Sequence, residues 1–193
     1  MGRASDVVQP RRAAPNGVWG LLLFAATEAA LFGSLIASYF YLRFQADRWP
    51  PEGIEPPAVA LPLALTGVLV LTTVPMLAAA RAAATGRRGR AWLLVAAAML
   101  VQGGYLAWQI VLYVSDLGKF SPEGSAYGSI YFTLLGIHHG HVALGLLLDL
   151  WVLLRLATGL TAYRITTVRV VALYWLFVNA IAILVVATQV SAS

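Results

Sequence analysis

The feature that most limits what this chain can become is an apolar run, repeated five times, long enough to cross about 30 Å of hydrocarbon, which takes roughly 20 mostly apolar residues in a helix. The runs lie near 18–43, 58–83, 90–115, 127–155 and 167–190. Between them stand RWPPEGIEPP, TGRRGR, SDLGKFSPEGS and ATGLTAYRITT. These breaks are rich in proline, glycine and polar residues and cannot cross lipid unsupported, because their peptide groups would lack partners there. The pattern predicts an all-α, polytopic membrane protein, a five-transmembrane-helix bundle over 18–193 preceded by a polar tail over 1–17. A chain of 193 residues, 60% hydrophobic and 11% charged, leaves no room for a further soluble domain.

Charge placement orients the bundle. The tail holds Arg3, Arg11 and Arg12; four more arginines lie in or beside the second break and three around the fourth. The opposite side receives only Arg43, Arg48 and Lys119, together with Asp47, Glu52, Glu55, Asp116 and Glu123. By the positive-inside rule the N-terminus is cytoplasmic and the C-terminus is on the far side. The apolar run after the tail is too long for the core of a cleaved signal peptide, so the tail is expected to be retained. A net charge of +5 spent at helix ends excludes nucleic acid as the partner. Trp19, Trp92 and Trp151 fall near the cytoplasmic edge and Trp49 beyond the outer one, as aromatic belts do. The alanine runs LAAARAAA and LLVAAAML read as ordinary helix content.

Function has to come from the polar groups at membrane depth. At 1.5 Å per residue, Glu28 lies about 15 Å into the first span, Asn179 about 16 Å into the fifth, and His141, His138 and Asp149 about 21, 25 and 9 Å into the fourth. Glu28, Asn179 and His141 thus share one level to within about a helical turn. His138, His141, Gly145 and Asp149 follow one another at intervals of three, four and four, which makes one stripe, while His139 points elsewhere. An ionisable group facing lipid costs about 2.5–3.5 kcal/mol, so the stripe is expected to face protein or water and, with Glu28 and Asn179, to form a buried polar cluster. In the first span Ala25, Ala29, Gly33 and Ala37 form a row of small residues that would let another helix approach closely.

The HHGH segment supports three uses. His138 and His141 could share a metal ion with Glu28; Glu28, His141 and Asp149 could relay a proton; or the imidazoles could hydrogen-bond across helices and fix packing. Three histidines are too few for two haems and a copper, and a chain without cysteine has no thiolate centre or disulfide. Phosphate-loop, serine-nucleophile and zinc-protease signatures are absent as well. No catalytic residue and no resident metal or cofactor is expected.

Three segments together resemble subunit III of haem-copper terminal oxidases, in its short five-span bacterial form. WGLLLFAATEAALFGSLIASYFYLR is similar to the family's Ser/Thr-Glu-x-x-x-Phe and Tyr-Phe-x-x-Arg helix, GIHHGHVALG to its Gly-Phe-His-Gly-x-His-Val-x-x-Gly segment, and YWLFVNAIAILVV to its closing Tyr-Trp-His-Phe-Val-Asp helix. Leu176 stands where the family has His and Asn179 where it has Asp. The resemblance implies a non-catalytic accessory subunit of the bacterial plasma membrane that contacts subunit I, with subunit II and other subunits in the same complex. Haem and copper belong to those partners, which reduce oxygen to water coupled to proton pumping. It further implies bound phospholipid and support of proton uptake, with Glu28 as the family's buried carboxylate, His138 and His141 as its helix-linking pair, and Arg43 and Trp19 as lipid-binding candidates. A related subunit of a quinol oxidase or of a nitric oxide reductase fits the same motifs. The rival outside the family is a small proton-coupled carrier built on Glu28 and the histidines, against which stand the lack of an inverted repeat and of a proline-broken pair of helices.

Overall fold

A computed structural model describes residues 16–56 and 58–192. The expected tail over 1–17 thus falls almost wholly outside the described residues, and Asn16 and Gly17 already belong to the first helix. Six helices follow in order: α1 (Asn16–Gln45), α2 (Ala60–Leu71), α3 (Thr73–Ala84), α4 (Arg88–Leu117), α5 (Ala126–Ala157) and α6 (Ala162–Val190). α2 and α3 together make one span, so five helical stretches are long and apolar enough to cross a membrane. No strand occurs among the described residues.

Two boundaries differ from the sequence expectation by more than a residue or two. The second span is broken at Thr72, because Pro75 has no N–H for the carbonyl a turn back and its ring crowds that carbonyl. The Thr72 N–H turns to the Leu69 carbonyl at 3.0 Å, and its hydroxyl oxygen lies 2.6 Å from the same carbonyl oxygen. The last span begins at Ala162, inside the stretch read as a connection, because the Thr161 hydroxyl accepts the Arg164 N–H at 3.3 Å and caps the helix. Between α3 and α4 the reversal is made at Gly86, whose φ of 75° suits glycine, with the Arg87 N–H closing on the Ala82 carbonyl at 2.9 Å.

α5 and α6 form the centre. α6 touches α1, α2, α3 and α5, whereas α5 touches α1, α4 and α6; α1 meets only that central pair. The interior has two parts. Toward one end Leu69, Met76, Val95, Val142 and Trp175 pack with Ala79, Ala82, Ala83, Ala91 and Ala98. The alanine runs are therefore the contact faces that bring α3 and α4 together, where small side chains let backbones approach, a role their composition alone did not reveal. Toward the other end the core is aromatic, with Phe32, Tyr39, Tyr127, Tyr131 and Phe132.

The packed face of α1 also differs from the expected row of small residues. Val18, Phe32 and Tyr39 are buried and Leu21, Ala25, Glu28 and Leu35 half-buried, at alternating intervals of three and four. This is a heptad seam, and it stays on one face where a strict interval of four drifts about 40° per step. Ala29, Gly33 and Ala37 are carried round to the exposed side.

Candidate functional site

α5 carries its three histidines and Asp149 past three different neighbours, and its own rotation decides which neighbour each one meets. His141 meets α1: its Nε2 lies 3.0 Å from Glu28 Oε2, with the two side chains 14% and 18% exposed. The Nδ1 of the same ring lies 2.8 Å from the Ile137 carbonyl, which can only accept, so Nδ1 carries a proton. A hydrogen bond between Nε2 and Oε2 then needs one further proton. Either a carboxylic acid donates to a neutral ring or an imidazolium donates to a carboxylate, and both forms have zero net charge. That neutrality is what lets two ionisable groups sit at this depth. The Phe32 ring stands edge-on at 5.2 Å, and the Tyr174 hydroxyl donates to the His141 carbonyl at 2.7 Å.

His138 turns to α4 instead, its Nε2 3.3 Å from the Tyr105 hydroxyl, and its fully enclosed Nδ1 has no hydrogen-bond partner among the described residues. His139 is buried beside Tyr113, ring centroids 5.8 Å apart. Asp149, completely buried, accepts from the indole Nε1–H of Trp175 on α6, at 3.0 and 3.1 Å. In the amide orientation that gives both ends of Gln102 a partner, its nitrogen donates to Asp149 Oδ2 at 2.9 Å and its oxygen accepts from Thr72 at 3.1 Å. Gly145 makes room for the indole: a Cβ there would sit 2.5 Å from the Trp175 ring. Asn179 on α6 donates to the Thr73 hydroxyl at 2.8 Å. The break in the second span thus delivers two adjacent hydroxyls, one to α4 and one to α6.

The single polar cluster expected from the sequence is therefore divided. Glu28 and His141 form a pair; His138 bonds α4, Asp149 bonds α6 and α4, and Asn179 bonds α3. A stripe on the central helix of a bundle is shared among its neighbours, and periodicity cannot say how many neighbours there are. Shared ligation by His138 and His141 is not what this arrangement offers, since the two rings address opposite neighbours; among the described residues no three His, Asp or Glu side chains converge on one point. A relay through Asp149 would have to cover about 12 Å along the axis from His141.

The two lipid candidates also part company. Trp19 is 56% exposed near the start of α1 and Arg43 is half-buried in its last turn, about 36 Å away along the axis. Neither lines a groove of about 580 Å³ that runs between α1, α5 and α6 past Leu21, Phe24, Leu148, Trp151 and Tyr174. Trp49, half-buried, packs edge-on against Tyr39 and Tyr127 and donates from Nε1 to the Tyr39 hydroxyl at 3.1 Å. Tyr39, Gln102, Tyr105, Thr72 and Thr73 were not singled out from the sequence, although Gln102 in an apolar span and the LTTVP segment are signals that could have found them.

Buried polar groups bonded from helix to helix define the class: a polytopic membrane protein whose spans are tied together by side-chain hydrogen bonds. Residues 12–189 match the family model described as cytochrome c oxidase subunit III. The chain belongs to this family. It is 30% identical over 170 residues to cytochrome c oxidase subunit 3 of Thermostichus vulcanus, covering 85% of this chain and 81% of that one. Similarity to cytochrome bo(3) ubiquinol oxidase subunit 3 of Pseudomonas aeruginosa is 29% over 169 residues, covering 85% and 79%. With cytochrome c oxidase subunit 3 of Corynebacterium diphtheriae it is 31% over 193 residues, covering 91% and 90%. The chain is accordingly a multi-pass membrane protein with a non-catalytic, accessory role in respiratory electron transport, the oxidoreductase activity residing at the level of the complex.

Proposed function

We propose that this chain is the accessory subunit III of a haem-copper oxidase in a bacterial plasma membrane, seated directly against subunit I, with its N-terminus cytoplasmic and its C-terminus outside. The observation that carries the reading is the state of α1. Only 6% of its most apolar window is buried, against 56% for α6, although both cross the membrane. Its uncovered side presents Ala29, Gly33 and Ala37, small residues that admit another helix at close range. The loop and tail arginines support the orientation. Purification in mild detergent tests it: a haem-bearing partner is expected to co-purify, and isolation as a haem-free monomer rejects the reading.

Within that complex, Glu28 and His141 hold a proton that serves proton uptake by subunit I. Support comes from their bonding, since a pair with one shared proton, partly open to its surroundings, can pass that proton on without leaving a buried charge. The infrared spectrum of Glu28→Gln against the parent tests the assignment. A carboxyl band of the parent that the variant lacks is expected at neutral pH.

Phospholipid is the remaining ligand of the proposal. The groove between α1, α5 and α6 suits an acyl chain, with Trp151 at its rim and Arg155 stacked 5.5 Å over that indole. Trp19 and Arg43, at opposite ends of α1, would serve lipids of opposite leaflets. Native mass spectrometry is expected to retain phospholipid on the subunit.

A further inference from the structure

His138 poses a problem that the accessory role does not solve. Its Nε2 faces the Tyr105 hydroxyl, and whichever of the two donates, the enclosed Nδ1 is left without a partner among the described residues. A buried polar atom left unsatisfied forfeits the hydrogen bonds it makes in water, so the fold gains if something bonds it. Beside the ring is a cavity of about 10 Å³, which is the room one water molecule needs. Its walls include Thr66, Tyr105, Gln109, His139 and Gln189. Apolar voids stay dry, but a site with several polar partners holds its water.

This small cavity is not isolated. Gln109, Leu135 and Gln189 also line a second chamber of about 90 Å³, where Tyr131 joins them. That chamber in turn shares Ala58, Asp116 and Lys119 with an open vestibule of about 360 Å³ beneath the α1–α2 and α4–α5 loops. Polar groups continue along the way. Tyr131 donates to Asp116 at 2.7 Å and has Gln189 beside it; Lys119 donates to the other Asp116 oxygen at 2.9 Å. That bond holds the ammonium above the usual lysine range, so it remains a cation at the mouth. Leu69, Val142 and Val178 of the adjoining apolar core are buried and line none of these spaces.

We propose that these three spaces are one blind, water-filled inlet that opens on the face bearing the α1–α2 and α4–α5 loops and ends on a water bound at His138. The histidines of α5 are then served from different sides: His138 and His139 exchange protons with that face, and His141 exchanges them through the α1 seam. The inlet does not depend on the identity of the partner subunits.

Because the chain has no cysteine, a single introduced thiol reports on its own surroundings. Ala182 lines the innermost cavity, whereas Ala98 is equally buried and lines none of the three spaces. In sealed membrane vesicles carrying the intact complex, silver ion is expected to block Ala182→Cys at least about ten-fold faster than Ala98→Cys, since only the former touches water. Blocking should occur from the face on which an impermeant maleimide labels Ser121→Cys in the exposed α4–α5 loop. Equal rates for the two alanine positions, or access to Ala182→Cys from the opposite face, overturn the proposal. The unmodified complex supplies an independent reading: a density map that resolves waters is expected to show one at hydrogen-bond distance from His138 Nδ1, and empty space there overturns the proposal as well.

Discussion

The seam between α1 and the central pair and the interior enclosed by α2 to α6 both use polar side chains to join helices, but under different conditions. At the seam an acid and a base face each other, partly exposed, and the proton between them can rest on either partner. In the interior Asp149 is completely buried and its bonded partners are an indole and an amide, Asn179 bonds a hydroxyl, and no cation is paired with either among the described residues. Open seams tolerate ionisable pairs because a lost partner can be replaced by water or a neighbouring chain. Closed interiors are held by fixed donors fitted around each acceptor, so removing one strands the other.

That contrast is tested most severely at Trp175. Trp175→Ala removes the largest fully buried side chain together with the Asp149 donor and is expected to cost about 3–5 kcal/mol, seen as loss of the subunit from the complex on mild heating. Gly145→Ala should cost about 1–3 kcal/mol in unfolding titrations, because the new methyl drives the indole off the carboxylate. Thr73→Val leaves the Asn179 amide unpaired, for about 1–2 kcal/mol in the same measurement. Glu28→Leu at the seam is expected to cost only about 0.6–1.7 kcal/mol. Should it match Trp175→Ala, the seam would be as closed as the interior and the contrast would fail. The smallest effect belongs to Glu52→Gln, whose ion pair with Arg48 lies at the surface with side chains 87% and 72% exposed; no shift in unfolding midpoint is expected.

Much of the architecture was legible because lipid forbids unsatisfied backbone, so each long apolar run had to be a helix. The errors came where a local bond outweighed composition. Thr161 pulled five polar-looking residues into α6, and Pro75 broke a run that hydropathy alone reads as continuous. Depth counting placed Glu28 and His141 at neighbouring levels, and the structure joins them at 3.0 Å; the same counting put Asn179 at that level, yet Asn179 bonds Thr73. Leu176 and Asn179 show the limit from another side. They stand only three residues apart, but Leu176 is 46% exposed and Asn179 buried, so the two departures from the family pattern do not share an environment.

By itself the sequence determined the number of spans, their order and the depth of every polar group, since all three follow from the length of apolar runs and the fixed rise of a helix. Tertiary structure alone decided the partners. Which side of α5 faces α1, α4 or α6 depends on how the helices pack against one another around it, and that choice turned one row of side chains into a pair at the seam, a histidine beside a cavity and a carboxylate under an indole.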